Sequence, residues 1–230
     1  MEADGDEDEA DRHTPQHETQ AAIMRATYRA LCDRGYANLT MQAIADEFDK
    51  SKAVIHYHYD TKEDLLVAFL EYLLENFGRT VDPEAMVTLE AEADPAKRLF
   101  ELLEILLRGS PERRRGETDF DHWDLVVAML EVRSAAPYNR EFRRQLTTNF
   151  QTVEAIVIAI LEEGIDRGRF RAVDPEATAV LLLSVINGCR TYQVTLERED
   201  VAELVHEALQ AMVMSWLSLP AGSEADSRQR

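Results

Sequence analysis

A chain of 230 residues with 45% apolar content can bury a sizeable core, which excludes a mostly disordered protein. No apolar run reaches the roughly 18 residues needed to span a bilayer, and no charged-then-apolar signal segment opens the chain. The expectation is therefore a cytoplasmic protein with no membrane partner, and its formal net charge of -19 makes it strongly acidic.

That charge is unevenly spread. Residues 1–20 hold eight acids and one arginine, whereas residues 21–66 hold seven acids and six bases. Three of the four lysines, Lys50, Lys52 and Lys62, fall in the second segment. It is the stretch least repulsive to a polyanion, and lysines kept at helix starts there point to DNA phosphates.

Few glycines and prolines among many Ala, Leu and Glu predict helix throughout, an all-α chain of about nine helices. Residues 1–18 are an acidic polar tail with little to bury, expected to be disordered. A helix follows from Thr19 to Arg34 with Ile23, Ala26, Ala30 and Leu31 inward, stopped by Gly35. Tyr36 and Leu39 are expected to pack back on it. Thr40 caps a second helix over 41–48, with Ile44, Ala45 and Phe48 inward. Ser51 caps a third over 52–58, with Val54 and Ile55 inward. Thr61 and Asp64 form a short-chain capping box that opens a fourth helix, ending near Phe77.

Residues 78–88 are a break. Helices are predicted over 94–108 and 120–134, separated by a polar loop at 110–119. A long helix covers 139–166, and Asp174-Pro175 caps and opens another that runs to Thr195. The last helix has the cleanest apolar period, from Val201 through Leu217, and residues 219–230 form a frayed tail. Cys32 and Cys189, in apolar helical settings, read as reduced core residues.

Residues 19–66 meet the requirements of a helix-turn-helix. A short scaffold helix and a tight turn present the next helix so that its first side chains can enter a major groove. Lys50 and Lys52 can reach a base edge or a phosphate, and Lys62 at a helix start can clamp a phosphate. Thr40 and Gln42 can do the same at another phosphate. His56 and His58 point in different helical directions without a nearby third ligand, so no metal is expected. No nucleophile–base constellation or phosphate loop is present, so neither an enzyme nor a cofactor is expected.

Residues 21–70 resemble the DNA-binding domain of the TetR/AcrR family of transcription regulators. The resemblance rests on Gly35-Tyr36, Thr40, Ile44-Ala45, Ser51, His56 to Tyr59 and Thr61-Lys62-Glu63. The chain departs from the family pattern at Asp49-Lys50, where Gly-Val is usual, and at Val54, Ile55 and His56. The resemblance implies a phosphate contact from His56 or Tyr57, with Ser51 at the turn. It also implies that residues 67–218 form a helical regulatory and dimerisation domain. The dimer face expected there comprises Val180, Gly188, Val201, Leu204, Val205, Ala208, Leu209, Met212 and Trp216. A ligand pocket between the middle helices would draw on Phe100, Leu103, Leu107, Trp123, Val127, Leu130, Phe150 and Val153, with Asn187, Arg190 and Tyr192 as polar partners and an apolar or aromatic effector.

The implied protein is a homodimeric repressor that binds a palindromic DNA operator and is released by a small molecule. An activator or global regulator of the same fold, or a protein–protein adaptor with a degenerate helix-turn-helix, are the alternatives. Acidic excess and 21 arginines against four lysines also resemble haloarchaeal proteins, in which concentrated salt screens self-repulsion.

Overall fold

A computed structural model gives the fold and describes residues 7–48, 51–80, 94–109, 122–198 and 200–217. Among these residues the regular structure is helical, in the order α1 (Glu7–Asn38), α2 (Met41–Asp46), α3 (Lys52–His58), α4 (Lys62–Thr80), α5 (Pro95–Arg108), α6 (His122–Ala135), α7 (Arg140–Asp166), α8 (Pro175–Thr195) and α9 (Val201–Ala211), closed by a π-helical turn (Met212–Leu217). The all-α expectation holds. Several boundaries differ from it: α1 begins at Glu7, inside the stretch read as a disordered tail, and resumes past the Gly35 kink to Asn38, α2 ends at Asp46, and α4 continues to Thr80, past the break expected at Gly78. The tail at 219–230 and the loop at 110–119 lie outside the described residues.

The chain divides into two compact units. The first joins residues 1–74 to Val127–Gln145, and the second holds Glu75–Val126 and Leu146–Arg230. Helices α6 and α7 each contribute to both.

In the first unit, the inward stripe of α1 is the predicted one: Ile23, Ala26, Ala30 and Leu31 are fully buried. Leu39, Ile44, Ile55, Leu65, Leu66, Phe69 and Leu70 close over it, with Ala43 taking the inward place expected of Ala45. Val54 is only partly buried. Gly35 interrupts α1 at φ 69°, ψ 165°, a left-handed turn that glycine adopts without steric cost. Arg29 donates to the Glu47 carbonyl at 2.6 Å and so satisfies the end of α2 from the side of α1.

In the second unit, leucines of α5 (Leu99, Leu102, Leu103, Leu106, Leu107) meet Val157, Ile160 and Leu161 of α7 and Leu182, Leu183 and Ile186 of α8. Asp94 caps α5 and Asp174 caps α8, each accepting a backbone N–H (3.1 Å from Ala96, 3.0 Å from Ala177) with proline at the first helical position. Arg98 is buried and donates to Glu163 at 2.5 Å, and Arg167 reaches the same carboxylate at 2.8 Å. Cys189 is buried as expected, but Cys32 is only partly so, because α1 turns its Cys32 face away from the stripe that Leu31 occupies.

Candidate functional site

The helix-turn-helix is assembled by local capping. Thr40 Oγ1 accepts the Ala43 N–H at 3.0 Å and starts α2 as predicted. Ser51 stands at the capping position of α3 but its hydroxyl makes no capping bond, which corrects the expectation. The capping rule names a position and a backbone angle, while the hydroxyl rotamer is free to turn outward. Thr61 and Asp64 cap each other in full: Asp64 N–H donates to Thr61 Oγ1 at 3.1 Å and Thr61 N–H donates to Asp64 Oδ2 at 3.2 Å. That box uses the N–H groups of Thr61 and Asp64 where α4 begins.

The predicted DNA-contacting residues sort by exposure. Thr40, Gln42, Ser51, Lys52, His56 and Tyr57 are exposed, Tyr57 at 81%, while Ile55 between them is fully buried. One buried anchor thus holds α3 while Lys52, His56 and Tyr57 stay free to meet a partner. Gln42 spends its amide on Asp46 (2.9 Å), so a phosphate would have to compete for it. Lys50 lies outside the described residues. Tyr57 packs edge-on to His58, whose ring lies 6.2 Å from that of Tyr59. Tyr59 is partly buried, and burial pushes its phenol up with help from Glu71.

Lys62 is partly buried, and its Nζ lies 4.6 Å from the centre of the Tyr36 ring. The Tyr36 backbone N–H donates to Glu131 Oε2 at 2.7 Å, and its ring meets Phe142 edge-on at 6.4 Å. Burial, then Glu63, raises the Tyr36 phenol. Glu131 and Phe142 belong to α6 and α7, and sequence reading missed both as neighbours of the DNA-binding helices.

The ligand-pocket residues do not fall in one unit. Leu103 and Leu107 are fully buried and Val153 nearly so, all in the core of the second unit, with Phe100, Trp123 and Phe150 packed against it. Val127 and Leu130 are placed in the first unit, because α6 passes into it at Val127. Arg190 donates to the Leu106 carbonyl and His122 Nε2 sits 3.0 Å from that of Leu107, so both finish the C-terminus of α5. Asn187 is partly buried one helical turn before Arg190. The Phe100 ring lies 5.2 Å from that of His206. A cleft of about 550 Å³ opens at the α8–α9 turn, lined by Gln193, Leu196, Glu197, Arg198 and Asp200, and shares none of the predicted pocket residues.

The predicted dimer face divides in two. Val180, Leu204 and Ala208 are exposed, and a β-carbon on Gly188 would meet nothing within 4 Å. Leu209 is 4% exposed and belongs to the core, which corrects its assignment: the apolar band of α9 is wide enough to cover two faces, and Leu209 lies on the inner one. Val201, Val205 and Met212 are partly buried against the same core, and the Trp216 side chain lies outside the described residues. Leu181 (51% exposed), Val185, Tyr192 (54%) and Met214 are exposed as well and were not among the residues expected on that face.

Among the described residues no helix is long and apolar enough to cross a membrane, and no group of three or more His, Cys, Asp or Glu could hold a metal ion.

A capped two-helix reader on a helical bundle defines the class of helix-turn-helix transcriptional regulators. The pattern of "Bacterial regulatory proteins, tetR family" matches residues 23–69, and that of "BetI-type transcriptional repressor, C-terminal" matches residues 95–218. The chain belongs to the TetR family. It is 40% identical to a TetR transcription regulator from Haloarcula marismortui of known structure, with 88% of this chain and 100% of that one covered and a TM-score of 0.73. A regulator from Saccharomonospora viridis, solved in complex with choline, has the same fold at 24% identity, with 89% of this chain and 100% of that one covered and a TM-score of 0.75. The HTH-type transcriptional regulator BetI of Rhizobium meliloti is 31% identical over 125 residues, which is 54% of this chain and 55% of that protein, so the chain spans about half the length of that relative.

Proposed function

We propose that this chain is a homodimeric repressor that reads a palindromic operator and leaves it when a small effector binds the second unit. The observation that carries the reading is the exposure pattern of α3. Ile55 is its one fully buried side chain, and Lys52, His56 and Tyr57 project outward from a segment whose charge is close to balanced. Lys52 is assigned to a base edge or phosphate, Tyr57 and His56 to phosphate, and Lys62 to phosphate at the start of α4. The exposed apolar side chains Leu181, Val185 and Tyr192 of α8 and Leu204 of α9 are assigned to the second copy.

The acidic surface and the similarity to the Haloarcula protein support work in concentrated salt, where screening replaces long-range attraction and DNA binding leans on short-range hydrogen bonds. The test is selection of bound duplexes from random DNA in molar potassium chloride. A two-fold symmetric motif is expected. Enrichment of a non-symmetric motif would remove the dimeric reading, and no enrichment from folded protein would remove the DNA-binding one.

The effector was read from the sequence as apolar or aromatic. A second reading, choline or another quaternary ammonium, is favoured by the BetI-type match over residues 95–218 and by the choline-bound neighbour. Phe100, Trp123 and Phe150 supply the ring faces that such a cation prefers. Titration of the protein–operator complex with choline and with neutral aromatics separates the two readings.

A further inference from the structure

Gly35 turns the chain sharply at φ 69°, which aims the next N–H, that of Tyr36, away from α1. Glu131 Oε2 takes that N–H at 2.7 Å, and the same oxygen would lie 3.5 Å from a β-carbon on Gly35. The carboxylate therefore packs against the turn it satisfies. The Tyr36 ring is fixed on one side by Phe142, which is fully buried and meets it edge-on at 82°. Its face carries the Lys62 ammonium at 4.6 Å.

We propose that Glu131 and Phe142 are positioning residues for Lys62: they hold Tyr36 so that its ring face sets the Lys62 ammonium at the start of α4 before DNA arrives. The proposal rests on the reading of Lys62 as a phosphate contact. A free lysine side chain samples many rotamers and loses that freedom on binding. An ammonium resting on a ring face is confined beforehand, yet keeps donors turned away from the ring for a phosphate oxygen.

Charge makes the test sharp. Glu131 is an acid in a protein of net charge -19, so its removal should strengthen DNA binding if bulk electrostatics decide. Positioning demands the opposite sign. The probe is a duplex recovered by selection on the wild-type protein, and affinities are measured on full-length protein across a series of molar-range potassium chloride concentrations. Lys62→Ala should weaken binding roughly tenfold, as for one charge-assisted hydrogen bond. Glu131→Ala should weaken it about threefold, the size of an exposed cation–π contact, and should do nothing further in the Lys62→Ala background. Lys62→Ala should flatten the salt dependence by roughly 0.9 in log–log slope for each half of the dimer, and Glu131→Ala by a smaller amount. Glu131→Gln keeps an oxygen for the Tyr36 N–H and should bind as tightly as wild type or more so.

Wild-type or tighter binding by Glu131→Ala overturns the proposal while leaving the Lys62 contact intact. So does a loss that persists without Lys62, or a loss with no change of salt slope, since a merely structural role would produce those. A silent Lys62→Ala overturns the contact itself and the positioning with it. Unfolding midpoints of each variant, with Glu131→Gln as the rescue, separate positioning from failure to fold.

Discussion

Phe170 occupies the space that a side chain on Gly164 would need: a β-carbon there would lie 2.0 Å from a carbon of the Phe170 ring. The ring is buried, and the Gly164 carbonyl accepts the Phe170 N–H at 2.9 Å, so the ring and the backbone beneath it are fixed together. Gly164→Ala should therefore destabilise the protein by about 3 kcal/mol, the upper end for overpacking. Urea unfolding in concentrated potassium chloride measures it, and a wild-type midpoint would show that the ring moves freely.

Thr40 and Ser51 hold the same place before their helices but do different things. Thr40→Ala removes a bond at 3.0 Å and should cost about 1 kcal/mol of stability. Ser51→Ala removes no capping bond and should stay within about 0.5 kcal/mol of wild type while weakening operator binding. Thermal unfolding and affinity measured on both variants give the comparison; equal stability losses would contradict it.

Leu204 and Leu209 stand five residues apart on α9 and face opposite ways. Leu204→Glu should convert a dimer to a folded monomer, seen as a change of sedimentation coefficient with helicity retained. Leu209→Ala should instead lower fold stability by about 2–5 kcal/mol, because it empties a buried site. A Leu204→Glu protein that still sediments as a dimer would move the interface elsewhere.

Asp94 caps α5 and receives the Arg169 guanidinium, whose hydrogen bond holds the Asp94 carboxyl below the usual carboxylate range. A lowered folded value means that this contribution is complete above the unfolded carboxylate pKa, near about 4, and is lost as pH falls through the folded value. The pair is partly exposed, so the contribution should stay below about 1 kcal/mol. Asp94→Asn keeps a capping oxygen but loses the charge, and its unfolding midpoint should depend less steeply on pH below about 4. Parallel curves for the two proteins would dismiss the pair as a source of pH dependence.

Most of the helices were legible because their signals are local. Thr40 and Asp174 bind backbone N–H groups three residues ahead, and Thr61 and Asp64 bind each other's. The inward stripe of α1 follows from spacing alone. The site was less legible. Lys52, His56 and Tyr57 of α3 are exposed, as a DNA-contacting reading requires, yet nothing near Tyr36 in sequence announces Glu131, which is 95 residues away. Val127 and Leu130 share an apolar period with the rest of α6, and that period is silent about the unit each residue joins.

The helical class, most helix starts and the family were legible along the chain, because periodicity, caps and the helix-turn-helix pattern act over a few residues. Which half of an apolar helix is core and which is surface was set by the fold, with Leu209 inward and Leu204 outward. It alone brought Glu131 and Phe142 to Tyr36, and so to Lys62. Contacts of that kind depend on how distant segments close on one another, and a free energy summed over many buried surfaces leaves no pattern at any one position of the chain.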